Sequence, residues 1–193
     1  MPILATPRLS VERFTLDDAE FIVRLLNDPS FIRHVADKGV RTLDDARAYL
    51  LGGPLSHYDR NGFGLWRVSE RETGGPVGMC GVIRRDTLED VDLGYALLPE
   101  FSGRGYAQEA ARAVVAYARD ILGLGRLVAV VSAGNSRSIR LLERLGFMFE
   151  RMVRLTPGDE EIGLYALDGE TMKRTAGVGD ATRDHGAIGK EQA

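Results

Sequence analysis

Cysteine is almost absent from this sequence, and the single Cys80 excludes a disulfide within the chain. A lack of disulfides is typical of a reducing compartment. The first residues also lack a basic segment followed by an apolar one, which is the pattern of a secretion signal. No apolar run approaches the roughly 18 residues that a membrane span needs. We therefore expect a cytoplasmic protein that does not bind membranes.

An excess of positive charge is missing as well. The chain has 25 Lys and Arg against 28 Asp and Glu, a net charge of −3, so it has no overall attraction for nucleic acid. Histidine is scarce, and His34, His57 and His185 have no metal-ligand spacing, so no metal is predicted. Cys80 has no histidine near it in sequence, which is typical of a small buried residue rather than a nucleophile.

The apolar patterns that are present divide the chain into seven predicted strands and four predicted helices. Thr15 with Asp18 and Thr42 with Asp45 have the spacing of helix starts. The strongest helix carries one apolar stripe over residues 107–122. The strands are predicted at about 9–14, 63–70, 77–84, 91–98, 126–131, 147–155 and 161–167, and the helices at about 16–26, 42–58, 107–122 and 136–145.

The order of these elements predicts an α+β fold around a mixed sheet, because a meander of strands is combined with strand–helix–strand connections. Residues 1–169 are expected to form one domain. Residues 170–193 are rich in glycine and polar residues and offer little to bury, so they are predicted to be a flexible or disordered tail.

A glycine-bearing loop joins the predicted strand at 91–98 to the strongest helix, in the run LPEFSGRGYAQEA. The start of a helix has backbone N–H groups without partners and attracts anions. Gly103 and Gly105 would let a phosphate approach these amides, and Arg104 could donate to it. The loop has neither the Lys-Ser/Thr pair of a Walker loop nor the third glycine of a dinucleotide fingerprint. Alone, it is as compatible with a tight turn as with a phosphate site.

Two runs together resemble the GNAT superfamily of N-acetyltransferases. DLGYALLPEFSGRGYAQEA resembles motif A of that family, and NSRSIRLLERLGF resembles its second cofactor-side element. The opening ATPRLSVERFTLDDAEF is similar to the branch that contains the ribosomal-protein alanine N-acetyltransferases. The resemblance implies a single-domain, mostly antiparallel sheet of about seven strands flanked by helices and splayed between the fourth and fifth strands.

The resemblance also implies acetyl-CoA as co-substrate and a set of residues that bind it. The amides from Arg104 through Gly105 and Tyr106 to Ala107 would hold the pyrophosphate, with Ser102 departing from the usual Gln or Arg. The pantetheine arm would pair with the strand from Tyr95 through Ala96 and Leu97 to Leu98. Asn135 matches the residue whose side chain bonds that arm, and it could equally be a helix N-cap. The cofactor-binding candidates are Tyr95, Ala96, Leu97, Leu98, Gly103, Arg104, Gly105, Tyr106, Ala107 and Asn135.

Acetyl transfer to an amine requires removal of a proton from the ammonium form. Asp92 is the candidate base, because many relatives carry a Glu there, and Asp90 is the reserve. The Leu97 N–H would polarise the thioester carbonyl. Relatives often carry a Tyr that protonates the leaving thiolate at the position of Leu142, so Ser138 becomes the candidate acid.

The acceptor is a primary amine whose identity the sequence leaves open, from a protein N-terminus to a polyamine, an aminoglycoside or an amino acid. In this family its pocket would come from residues 31–39, Tyr58, Trp66 and the turn at 156–161. Two alternatives to the enzyme are a non-catalytic acyl-CoA-binding sensor and a protein-interaction module. A homodimer is compatible with the sequence but has no signature in it.

Overall fold

The computed structural model describes residues 2–169 and 171. The tail predicted over 170–193 lies outside the described residues, apart from Thr171. The strands are β1 Leu4–Ala5, β2 Leu9–Glu12, β3 Leu65–Glu70, β4 Pro76–Ile83, β5 Asp92–Leu97, β6 Arg126–Val131, β7 Met148–Val153 and β8 Ile162–Asp168. The α-helices are α1 Ala19–Leu26, α2 Pro29–His34, α3 Leu43–Leu50, α4 Ser56–Asn61, α5 Tyr106–Asp120 and α6 Ser136–Arg144.

All eight strands form one sheet in the order β1-β2-β3-β4-β5-β6-β8-β7. Six of the seven neighbouring pairs are antiparallel, and β5 and β6 alone are parallel. The predicted α+β class with a mixed, mostly antiparallel sheet is therefore confirmed. The strand beyond the expected seven is β1, which is only two residues long and so too short to show a periodic pattern.

The parallel pair β5–β6 opens almost at once. Its ladder contains the single pair Asp92↔Val128, and the Val128 N–H donates to the Val91 carbonyl at 3.0 Å. No further ladder pair joins the two strands, so they diverge toward their carboxyl ends. These are the fourth and fifth of the seven predicted strands, and the predicted splay is confirmed.

Helices cover both faces of the sheet. Alternate residues of β5 point to opposite faces. Leu93 packs in the core that α5 and α6 complete, whereas Ala96 packs in the core formed with α1 and α3. Met79 on β4 pairs with Ala96 and lies in that same second core. The α1–α4 side and the α5–α6 side of the sheet therefore meet at the opening between β5 and β6.

Two features of the helices differ from the predictions. Asp28 and Pro29 end α1 as expected, but Asp28 also accepts from the Ser30 N–H and so begins α2, which was not predicted. The helix predicted over 42–58 is divided into α3, a wider π turn at Leu51–Leu55, and α4. Pro54 lies inside that turn and has no N–H to continue the regular hydrogen-bond ladder. Among the described helices, none has both the length and the apolar character to cross a membrane.

Candidate functional site

A cavity of about 600 Å³ occupies the opening between β5 and β6. Its floor and walls come from both strands, from α6, from the helices before β3, and from the loops that precede β5 and β8. The lining includes Phe31, Arg33, His34, Lys38, Tyr49, His57, Arg85, Asp92, Leu93, Gly94, Tyr95, Ala129, Val130, Val131, Ser132, Asn135, Ser138, Leu142, Asp159 and Glu160. Asp92, Tyr95, Asn135 and Ser138, which the sequence singled out separately, are thus brought together.

The glycine loop lies between β5 and α5 and leaves its amides open. Gly103 and Gly105 have φ angles of 79° and 80°, the left-handed region that favours glycine. The first hydrogen bond of α5 runs from the Glu109 N–H to the Gly105 carbonyl at 3.0 Å. Within residues 2–169 we find no hydrogen bond donated by the backbone amides of residues 103–108. A Cβ on Gly103 would meet no atom within 4 Å, so the space beside these amides is free for an anion.

The side chains of this loop are held by contacts that the sequence did not reveal. The Arg8 guanidinium donates to the Arg104 carbonyl at 2.9 Å through Nη1 and to Glu109 at 2.7 Å through Nε. It also lies over the Tyr106 ring, 4.6 Å from the centroid. Tyr106 in turn donates its hydroxyl to Glu70 at 2.6 Å. Arg8 and Tyr106 therefore fix the conformation of the loop, and the side chain of Tyr106 is engaged by Glu70 and Arg8 while its backbone amide stays open.

The free edge of β5 faces the cavity. The Leu98 N–H donates to the Val77 carbonyl of β4, while the Val91 carbonyl accepts from the Val128 N–H of β6. Because backbone groups alternate sides along a strand, those of Tyr95 and Leu97 point into the opening, and those of Ala96 and Leu98 point to β4. Of the four strand residues that the resemblance suggested, two therefore have backbone groups available to a ligand.

The N-terminus of α6 forms the opposite wall. Asn135 is its N-cap, and its Oδ1 accepts from the Ser138 N–H at 3.1 Å. The Asn135 side-chain amide has no hydrogen bond among the described residues, so it can donate to a ligand. Asn135 is thus an N-cap with a free donor, and both roles weighed for it are compatible with its position.

Tyr95 spans the opening from β5 to α6. Its hydroxyl donates to the Ser138 carbonyl at 3.3 Å, and burial raises the pKa of that hydroxyl to about 12. The Ser138 hydroxyl makes no hydrogen bond within the described part of the chain. Leu142 is only 1% exposed and presents an apolar surface to the cavity. Two hydroxyl groups, rather than the one expected from the sequence, therefore lie beside α6.

Asp92 lies where β5 and β6 separate and is only 1% exposed. Arg85 donates from Nε to Asp92 Oδ2 at 2.6 Å. Oδ1 is buried and has no hydrogen-bond partner among the described residues. The Val130 backbone amide acts on the carboxyl electrostatically and lowers its pKa. Burial raises the pKa of the Asp92 carboxyl above its usual range, while the Arg85 charge opposes that rise.

The reserve base has a different role. Asp90 accepts from Arg126 at 2.8 Å, in a network that also joins Arg126 to Asp168 and Glu150. It does not line the cavity. Cys80 is buried, and burial raises the pKa of its thiol to about 12, as expected for a residue that is not a nucleophile. No group of three or more His, Cys, Asp and Glu in the described chain could hold a metal.

The acceptor side of the cavity differs in part from the family pattern. The segment that begins with Phe31, together with Asp159 and Glu160, lines it as expected. Tyr58 does not, since its hydroxyl bridges the Phe14 N–H and the Leu65 carbonyl, and Trp66 packs edge-on against Tyr117. The lining residues that sequence reasoning missed include Tyr49, His57 and Arg85, whose side chains carry polar groups. They come from separate segments, and no local motif marks them.

A splayed mixed sheet, a glycine loop before the following helix and a cavity at the splay define the acetyltransferase class of α+β proteins. The family model described as "Acetyltransferase (GNAT) domain" matches residues 8–148. The chain belongs to this family and is an acyltransferase.

Individual relatives agree with this assignment. An uncharacterized N-acetyltransferase of Bacillus subtilis, YoaA, is 29% identical over 154 residues, covering 79% of this chain and 86% of the relative. The [Ribosomal protein uS5]-alanine N-acetyltransferase of Escherichia coli is 27% identical over 158 residues, covering 72% of this chain and 81% of the relative. The crystal structure of an acetyltransferase from Agrobacterium tumefaciens superposes with a TM-score of 0.73 and 26% identity, covering 86% and 94% of the two chains.

Proposed function

We propose that this protein transfers the acetyl group of acetyl-CoA to a primary amine by direct attack within a ternary complex. The observation that carries the proposal is that one strand and the loop after it hold three features in order. Asp92, with its buried carboxylate, begins β5, Tyr95 and Leu97 lie on the free edge of the strand, and the open amides near Gly103 and Gly105 follow it.

Coenzyme A fits this surface by its chemistry. Its diphosphate is an anion suited to the amides of Arg104 through Ala107, where Gly103 leaves open space, whereas a Cβ on Gly105 would lie 3.4 Å from Arg8 Nη2. Its amide-bearing arm suits the exposed backbone of β5 between Tyr95 and Leu98, and Asn135 has a side-chain donor left to offer it. The co-substrate supplies a thioester, which is an activated acetyl group with a thiolate leaving group.

The residues of the cavity supply the rest of the reaction. Asp92 accepts the proton that the acceptor ammonium must lose, because its raised pKa makes it a stronger base than an exposed aspartate. The Leu97 N–H donates to the carbonyl oxygen, on which negative charge develops. The hydroxyl of Ser138 or that of Tyr95 donates to the departing thiolate. A thiol with pKa near 8.5 needs only modest help to leave.

The experiment is a thiol-release assay with acetyl-CoA across a panel of amines and N-terminal peptides. We expect amine-dependent release, and Asp92→Asn should reduce kcat by about 100-fold or more. Thermal unfolding should show stabilisation by about 2.7 kcal/mol when acetyl-CoA is present at 100 times its Kd. Absence of stabilisation would overturn cofactor binding, and full activity of Asp92→Asn would overturn the assignment of the base.

One alternative has observations in its favour. Asp92 is ion-paired with Arg85, and the apolar Leu142 stands where relatives often carry a tyrosine. Both features suit an acyl-CoA-binding sensor that does not catalyse transfer. Such a protein would be stabilised by acetyl-CoA in the unfolding experiment but would release no thiol with any amine. A cytoplasmic location and a homodimer are also proposed, from the sequence alone.

A further inference from the structure

The side of the cavity formed by the helices carries cations that have no anionic partner among residues 2–169. Arg33 is on α2 and Lys38 follows that helix, and both line the cavity. Neither makes an ion pair with any of the described residues. His57 on α4 also lines this side, and its Nδ1 is buried without a hydrogen bond. This side therefore presents two positive charges and one unsatisfied polar atom to the space within.

Of the other charges of the lining, Arg85 and Asp92 form an ion pair, whereas the carboxylates of Asp159 and Glu160 have no cationic partner within residues 2–169. Arg85 and Asp92 neutralise each other. Asp159 accepts from both the N–H and the hydroxyl of Thr156, at 3.0 and 2.6 Å. The Glu160 carboxylate, on the opposite side of the cavity, has no ion pair within residues 2–169. Within the described residues, two cations without ion pairs thus face two carboxylates without ion pairs, and the cavity is polarised with its positive side toward α2 and α4 and its negative side toward the loop before β8.

Desolvation and neighbouring positive charges make a further cation unfavourable on this side of the cavity. Lys38 is an exposed residue, and partial desolvation, followed by the positive charge of Arg85, lowers the pKa of its ammonium group. Burial, followed by the charges of Arg60 and Arg85, lowers the pKa of His57, while Asp86 opposes this. A cation bound beside these groups would add repulsion to a site that already disfavours positive charge. An anion would relieve it and would gain charge-assisted hydrogen bonds.

We propose that the acceptor is a small primary amine that also carries a carboxylate or phosphate group, and that Lys38 and Arg33 bind that anionic group. The inference rests on the proposed acetyl transfer and narrows its substrate class. Amine and anion must fit a cavity of about 600 Å³ together with the acetyl end of the co-substrate. The acceptor nitrogen is therefore only a few bonds from the anion, and polyamines are disfavoured.

The test compares amines matched in length: β-alanine, O-phosphoethanolamine, propylamine and 1,3-diaminopropane. Thiol release gives kcat/KM for each, and calorimetry gives its binding to the enzyme–CoA complex. We expect kcat/KM for β-alanine and for O-phosphoethanolamine to exceed kcat/KM for propylamine and for 1,3-diaminopropane by about tenfold or more. β-Alanine and O-phosphoethanolamine distinguish the carboxylate from the phosphate as the preferred anion.

Variants of Lys38 connect the preference to the site. Lys38→Met should reduce the preference for anionic amines about tenfold, Lys38→Arg should retain it, and Lys38→Glu should shift it toward the diamine. Arg47→Gln is the matched control, because Arg47 is exposed on α3, pairs with Asp44 and lies outside the cavity lining. Its preference should equal that of the wild type.

The outcomes separate this inference from the proposed function. Equal or better use of propylamine or 1,3-diaminopropane, or an unchanged preference in Lys38→Met, would overturn the inference and leave acetyl transfer intact. Binding of β-alanine that Lys38→Met abolishes, without thiol release from any amine, would overturn the transfer reaction and retain the anion site.

Discussion

The Arg85 guanidinium lies 2.6 Å from Asp92 Oδ2, at the point where β5 and β6 separate. One carboxylate oxygen is thereby fixed by a cation, and the other, Oδ1, is left to accept a proton. The pair resolves a conflict, because burial alone would favour a protonated Asp92 that could not act as a base. Arg85 favours the ionised form and keeps it in one orientation.

The acidic limb of the pH–rate profile tests this relationship. Burial raises the Asp92 pKa and Arg85 lowers it, so Arg85→Gln should raise it further. The base is active when ionised, and the acidic limb of kcat/KM should therefore move to higher pH in Arg85→Gln. Arg85→Lys should keep the limb near its wild-type position, and Asp92→Asn should abolish it. An acidic limb that is the same in the wild type and Arg85→Gln would show that the pair does not tune the base.

Removal of a hydroxyl identifies the group that assists the leaving thiolate. Tyr95→Phe deletes the 3.3 Å hydrogen bond to the Ser138 carbonyl and costs about 1 kcal/mol of stability. If Tyr95 is the donor, Tyr95→Phe should lower kcat by about tenfold or more and leave KM for acetyl-CoA unchanged. Ser138→Ala should then have nearly the kcat of the wild type. The reverse pattern assigns the role to Ser138. Wild-type kcat in the double variant would show that no hydroxyl assists the thiolate.

The fold could be predicted in most of its parts because its elements are locally encoded. The apolar stripe predicted over 107–122 became α5 at Tyr106–Asp120, and the positive φ of Gly103 and Gly105 agrees with the loop chemistry. The mixed sheet was predicted from the order of strands and helices, whereas the splay between β5 and β6 came from the resemblance and not from periodicity.

The contacts within the site could not be predicted, because they join residues that are distant in sequence. Tyr95 and Ser138 are separated by 43 positions, and Arg8 and Arg104 by 96. Arg85 lies in the loop before β5, where nothing in the local pattern shows that it will reach Asp92. The helix α2 was missed because the Asp28–Pro29 pair ends one helix and begins the next.

Arg8 is expected to position the loop that holds the co-substrate. It bonds the Arg104 carbonyl and pairs with Glu109, and it would not need to touch the co-substrate to act. Arg8→Gln should raise KM for acetyl-CoA several-fold and leave kcat unchanged, because it removes binding without altering the reacting groups. Arg41→Gln is the control, since Arg41 is similarly exposed and pairs with Asp37, and neither residue has a contact with the loop among the described hydrogen bonds and ion pairs. Equal KM values for Arg8→Gln and the wild type would remove Arg8 from this role.

Comparison with Gly74 distinguishes the contribution of Gly103 to backbone stability from its contribution to the binding of coenzyme A. Both residues have positive φ, 79° and 72°, and a Cβ on either would meet no atom within 4 Å. Gly103→Ala and Gly74→Ala should therefore lose similar stability, about 1 kcal/mol each, from the strained φ alone. Only Gly103 lies beside the open amides that precede α5, so only Gly103→Ala should also lose most of the thermal stabilisation by coenzyme A. If both variants keep that stabilisation, the amides from Arg104 to Ala107 do not hold the diphosphate.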